Sequence, residues 1–149
     1  VPANTNPIFT LTPNVGVVPV TAANTNSQGS GTIGTDIFKA FTAGASGSFV
    51  TRVRWSPTAS AAGSNTTATV ARVFLSSQTS GATTGGTNTW LLGEITLAAQ
   101  TADSTASAVY QLELMLNMAI PAGYTILVTN HAAPAANTNW QAMVIGGDY

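Results

Sequence analysis

The chain of 149 residues has no cysteine, one histidine, four basic residues and five acidic ones. The absence of cysteine excludes a disulfide scaffold and any thiolate zinc site. No apolar run reaches the length needed to span a bilayer as a helix. A formal net charge of -1 offers no basic patch for a nucleic-acid backbone or an anionic membrane surface, so neither is an expected partner. Charged residues make up only 6% of the chain, against roughly a quarter in ordinary soluble domains. Such a surface has little colloidal protection and is easier to explain if much of it lies against partners in a dense assembly.

What the chain has instead is a set of strand-like segments. Apolar residues form 44% of it, enough to bury a core in one domain. Residues 1–14 read as an extended N-terminal arm, with three prolines and an apolar patch at Ile8, Phe9 and Leu11. A β-domain is expected over 15–149, its first strand running from Val15 to Ala22. One strand is expected over 32–42, with a bend possible in its imperfect period. In the strand from Ser48 to Ser56, alternation puts Phe49, Val53 and Trp55 on one face and Val50, Arg52 and Arg54 on the other. Further strands are expected over 67–76, 90–98, 108–118, 124–129 and 140–145, with Pro57 opening a loop to Thr66. About eight strands separated by Gly-rich turns, without an amphipathic helix, predict an all-β two-sheet β-sandwich of jelly-roll-like connectivity.

Few side chains could carry chemistry. Arg52, Arg54, Arg72, Glu94 and Glu113 all fall in expected strands, where cross-strand ion pairing accounts for them; the arginines could also serve a subunit contact. Glu94 and Glu113 have no catalytic company that would recommend them as a glycosidase pair. His131 stands without a ligand cluster or a nucleophile elbow. The Gly-rich segments at 29–31 and 81–86 lack the ending of a phosphate-binding loop. No catalytic residue, metal or cofactor is therefore expected. Aromatic residues are stronger candidates: Trp90, Trp140 and Tyr124 could form a stacking platform for sugar rings. Trp90 and Leu92 alternate onto the face of Glu94, where outward apolar residues would mark an interface.

Several stretches resemble, in order, small virion-associated proteins of tailed bacteriophages. They are Thr51-Arg52-Val53-Arg54-Trp55, Ala71-Arg72-Val73-Phe74-Leu75 and Trp90-Leu91-Leu92-Gly93-Glu94-Ile95. Residues 110–116 follow, with the turn Ile120-Pro121-Ala122-Gly123-Tyr124 and the ending Gly146-Gly147-Asp148-Tyr149. The resemblance spans residues 15–149 and implies a capsid decoration, or cement, protein on the outer surface of a phage head. The major capsid protein and further copies of the chain, as a trimer, are its expected partners. Phe9, Leu11, Arg52, Arg54, Trp90 and Leu92 are the expected interface residues. The alternative is a carbohydrate-binding head-fibre or tail adhesin that uses Trp90, Trp140 and Tyr124.

Overall fold

A computed structural model describes residues 10–83, 85–105 and 111–149. The strands are β1 Thr12–Val20, β2 Gly31–Thr32, β3 Phe38–Thr42, β4 Ser48–Ala59, β5 Ser64–Asn65 and β6 Thr69–Ser76. They continue with β7 Ala82–Thr83, β8 Thr89–Leu97, β9 Thr101–Ala102, β10 Leu112–Ile120, β11 Thr125–Asn130 and β12 Thr138–Asp148. The long strands form two antiparallel four-stranded sheets. The first, sheet A, has the order β1-β12-β4-β10, and the second, sheet B, has the order β3-β11-β6-β8. The two-residue strands pair β2 with β7 and β5 with β9.

The sheets pack face to face as a β-sandwich. Val50, Val53, Trp55, Ala142 and Val144 of sheet A meet Phe41, Val73, Leu97, Ile126 and Val128 of sheet B in one buried cluster. Each fully buried large apolar side chain contributes about 1.5–3 kcal/mol. The two long edges differ. At β1 and β3 the sheets pinch together: a Cβ on Gly16 would lie 1.7 Å from the Ala40 carbonyl oxygen, so only glycine permits that approach. Along β8 and β10 the core-facing Leu92, Ile95, Leu112, Leu114, Leu116 and Met118 are only partly buried. Sheet B carries apolar residues on part of its outer face as well. Its outer side holds Ile37, Phe74 and Leu127, with Ile33 packed against them, as a second small cluster.

Several local expectations change. The stretch 32–42 is not one strand: Gly34 takes φ 91°, the Asp36 carboxylate accepts the Thr32 N–H at 2.7 Å, and a turn separates β2 from β3. The first strand begins at Thr12 rather than Val15 and tolerates Pro13 and Pro19 because β1 is an edge strand. Pro57 lies inside β4, not in a loop. It pairs with Trp140 on one side, beyond the last partner on the other, Leu112 opposite Trp55, so its missing N–H costs no ladder bond there. The expected strand over 108–118 is β10 from Leu112 onward, and residues 106–110 lie outside the described ones. A bulge in β4 reverses the expected face of its first residues. Val50 joins Val53 and Trp55 in the core, while Phe49 stands on the outer face.

The C-terminal end of β12 is fastened by one carboxylate. Asp148 accepts hydrogen bonds from Asn14 Nδ2 at 2.9 Å, from the Gly44 N–H at 3.3 Å and from the Ser48 hydroxyl. Desolvation pushes its pKa up, but the bonds from Asn14, Ser48 and Gly44 outweigh it and hold the carboxyl below its ordinary value.

Candidate functional site

The outer face of sheet A can be read row by row from the strand registers. One row is Val15, Ile145, Arg52 and Met115; the next is Val17, Met143, Arg54 and Glu113. A third, Pro13, Gly147, Phe49 and Ala119, is uncharged, and beyond the second row come Pro19, Gln141 and Ser56. Directly opposed residues share a face of the pleat, so these rows make one continuous surface. Val15, Val17 and Met115 are each more than half exposed, and Leu11, leading into β1, is 73% exposed. Outward apolar residues grouped on one sheet face mark a candidate interface.

Two guanidinium groups sit in the middle of it. Glu113 Oε1 accepts from Arg54 Nε at 2.7 Å and also lies 2.7 Å from Arg54 Nη2. Arg52 Nε lies 3.5 Å from the same oxygen, shielded from water and without a hydrogen-bond partner among the described residues. Each of these side chains is about one third exposed, so the ion pairs add little stability, about 0–1 kcal/mol each. Their consequence is electrostatic, since two positive groups share one negative group.

The other carboxylates are placed elsewhere. Glu94 stands opposite Arg72 on sheet B, with Arg72 Nε donating to its Oε1 at 2.5 Å and Arg72 itself buried. Asp36 serves the turn before β3, Asp103 follows β9, and Asp148 is occupied at the end of β12. Among the described residues no three His, Cys, Asp or Glu side chains gather as a metal site.

Of the expected interface residues, Leu11, Arg52 and Arg54 belong to the sheet A side. Phe9 lies outside the described residues. Trp90 and Leu92 are not with them. A bulge between Val73 and Phe74 breaks the expected alternation in β8, so that Leu92 packs against the core while Glu94 faces out beside Arg72. Trp90, 40% exposed, pairs with Leu75 at the start of β8 and stacks on Tyr124, with ring centroids 6.5 Å apart and planes 22° apart. Beside it is a shallow depression of about 440 Å³ lined by Ser27, Gln28, Gly86, Thr89, Trp90 and Leu91.

Trp140 requires a correction as a stacking residue. It is 1% exposed, and its indole N–H donates to the Thr67 carbonyl at 3.1 Å, so no ring face is offered to a sugar. The alternation of β12 placed it on the inner side with Ala142 and Val144. Sequence reasoning missed Val15, Val17, Met143 and Ile145 as surface residues. Their signal was present: β12 is apolar on both sides of its alternation, which a strand with one solvated face does not need.

Comparison with protein-family models, with curated proteins and with solved structures gave no match in any of the three.

Proposed function

We propose that this chain is a phage capsid decoration protein, bound to the outer surface of the head and stabilising the shell by bridging capsid subunits. The observation that carries this reading is the outer face of sheet A, which presents Val15, Val17, Met115 and the Arg52–Arg54 pair on a chain otherwise poor in charge. Burial of such a face against a shell would return apolar area to a dry environment at about 25 cal/mol per Å². Repetition of the contact over many copies would hold the layer by multivalency rather than by one tight site. The sequence resemblance over residues 15–149 points the same way. In this reading the chain acts as a trimer, and the N-terminal arm, with Phe9 and Leu11, reaches a neighbouring subunit or the shell.

The strand order supports the finer reading of the fold as a jelly roll. With the four two-residue strands set aside, the first, last, third and sixth long strands form one sheet, and the second, seventh, fourth and fifth form the other. Viral capsid and lectin domains both use jelly rolls, so the fold by itself does not choose between a structural and a sugar-binding role. The second reading, a carbohydrate-binding head-fibre or tail adhesin, is favoured by the Trp90–Tyr124 stack, which brings two of its three expected rings together.

High-resolution electron microscopy of intact particles tests both. Density for the chain at repeated sites over the head, with the sheet A face toward the shell, is the expected result. Density confined to one vertex or to the tail would sink the decoration role. A glycan array probed with the isolated protein and with Trp90→Ala would then decide the adhesin reading.

A further inference from the structure

We propose that the outer face of sheet A docks an apolar protein surface that carries a carboxylate, and that this carboxylate is received by Arg52 and Arg54. We rest this on the docking reading above for the choice of face, and add the chemistry of the partner.

Three observations define the occupant. First, the rows Val15–Ile145–Arg52–Met115 and Val17–Met143–Arg54–Glu113 enclose two guanidinium groups within apolar surface. Second, those groups share a single carboxylate oxygen, so one positive charge on this face is uncompensated. The remaining acids of the chain are committed to other places: a turn before β3, sheet B, the segment after β9 and the end of β12. Third, Arg52 Nε, 3.5 Å from Glu113 Oε1, makes no hydrogen bond among the described residues, so Glu113 holds Arg52 less closely than Arg54. Covering the face with a purely apolar partner would desolvate the uncompensated charge, which is costly. A partner carboxylate placed over the arginines offsets that cost and gains a charge-assisted hydrogen bond.

The same charge count disfavours a second copy docked face to face. A two-fold pairing would bring two net-positive clusters together over apolar surface, which is repulsive where water is excluded. The partner is therefore a different surface, acidic where this one is basic and apolar around it.

Two blocked peptides serve as defined probes, Ser-Leu-Val-Glu-Val-Leu-Ser and its counterpart with Gln in place of Glu. Each is titrated to millimolar concentration into the isotope-labelled full chain while its amide resonances are followed. The expected result is a set of shifts confined to β1, β12, β4 and β10, with the Glu peptide bound about tenfold more tightly than the Gln peptide. Arg52→Gln should reduce the Glu peptide to the affinity of the Gln peptide with the spectrum otherwise retained, and Val17→Thr should weaken both peptides alike. Equal affinity of the two peptides, shifts centred on Trp90 and Tyr124, or no shifts at millimolar peptide would each overturn the proposal. So would self-association of the free protein that Arg52→Gln strengthens, because that would assign the face to a second copy. Microscopy of particles reports separately on the decoration role: charge-selective peptide binding by a protein absent from the head would remove that role and leave the acidic partner standing.

Discussion

Removing the Asp148 carboxylate should unfasten the end of β12 from β1 and from the turn between β3 and β4. Asp148→Ala deletes the acceptor for Asn14 Nδ2, the Gly44 N–H and the Ser48 hydroxyl, and Ser48 is fully buried. A hydrogen bond to a charged group is worth about 1.5–3 kcal/mol. The Gly44 bond is long at 3.3 Å, and the carboxylate is close to solvent, so the three do not count in full. We expect a loss of about 2–3 kcal/mol at neutral pH. With a urea slope of about 2 kcal/mol per molar, the unfolding midpoint should fall by about 1–1.5 M. Asp148→Asn keeps an acceptor oxygen and should lose about half as much. The pH dependence follows from the sign of the shift. Because the folded-state pKa is depressed, the carboxylate contributes its full stability above the unfolded value near 3.9, and the contribution is lost as pH falls through the lower folded value. The gap between parent and Asp148→Ala should therefore narrow below about pH 4. A gap under about 0.5 kcal/mol at pH 7, or one that stays constant into strong acid, would refute the account.

Three other substitutions probe the packing. Gly16→Ala should cost more than about 4 kcal/mol or prevent folding, because the added methyl meets the Ala40 carbonyl backbone and neither strand can retreat; circular dichroism and melting of the variant check this. Asn130→Leu should stabilise the domain by about 1–2 kcal/mol in urea titration, since the Asn130 amide is 1% exposed and neither of its polar atoms has a hydrogen-bond partner among the described residues. A marked loss of stability there would mean that the amide is satisfied in solution by buried water. Glu94→Gln should cost about 2–4 kcal/mol, because Arg72 is buried and its charge would lose its carboxylate; a near-neutral midpoint would show that the guanidinium is solvated.

The sequence by itself determined the fold class and the inward faces of its more regular strands. The alternation of Leu112, Leu114 and Leu116 against Glu113 and Met115 is a local pattern with period two, and β10 keeps it. Cross-strand ion pairing of the strand charges was legible as well, but the partners, Glu113 opposite Arg54 and Glu94 opposite Arg72, came from register. Local pattern could not show the bulges. One extra residue in β4 reverses the expected positions of Phe49 and Val50, and one in β8 turns Leu92 against the core. It could not show that Trp140 joins Trp55 in the core while Trp90 stays partly exposed, because that depends on which sheet covers each strand. Trp140 is sealed under the sandwich with its N–H on Thr67, whereas Trp90 sits at the end of an edge strand beside Tyr124. Most of all, the candidate docking face is an arrangement of β1, β4, β10 and β12, strands spread from residue 12 to residue 148. Val15, Ile145, Arg52 and Met115 become neighbours only through hydrogen-bonded register across four strands. Alternation sets which side of its own strand each residue takes; register decides what it stands beside.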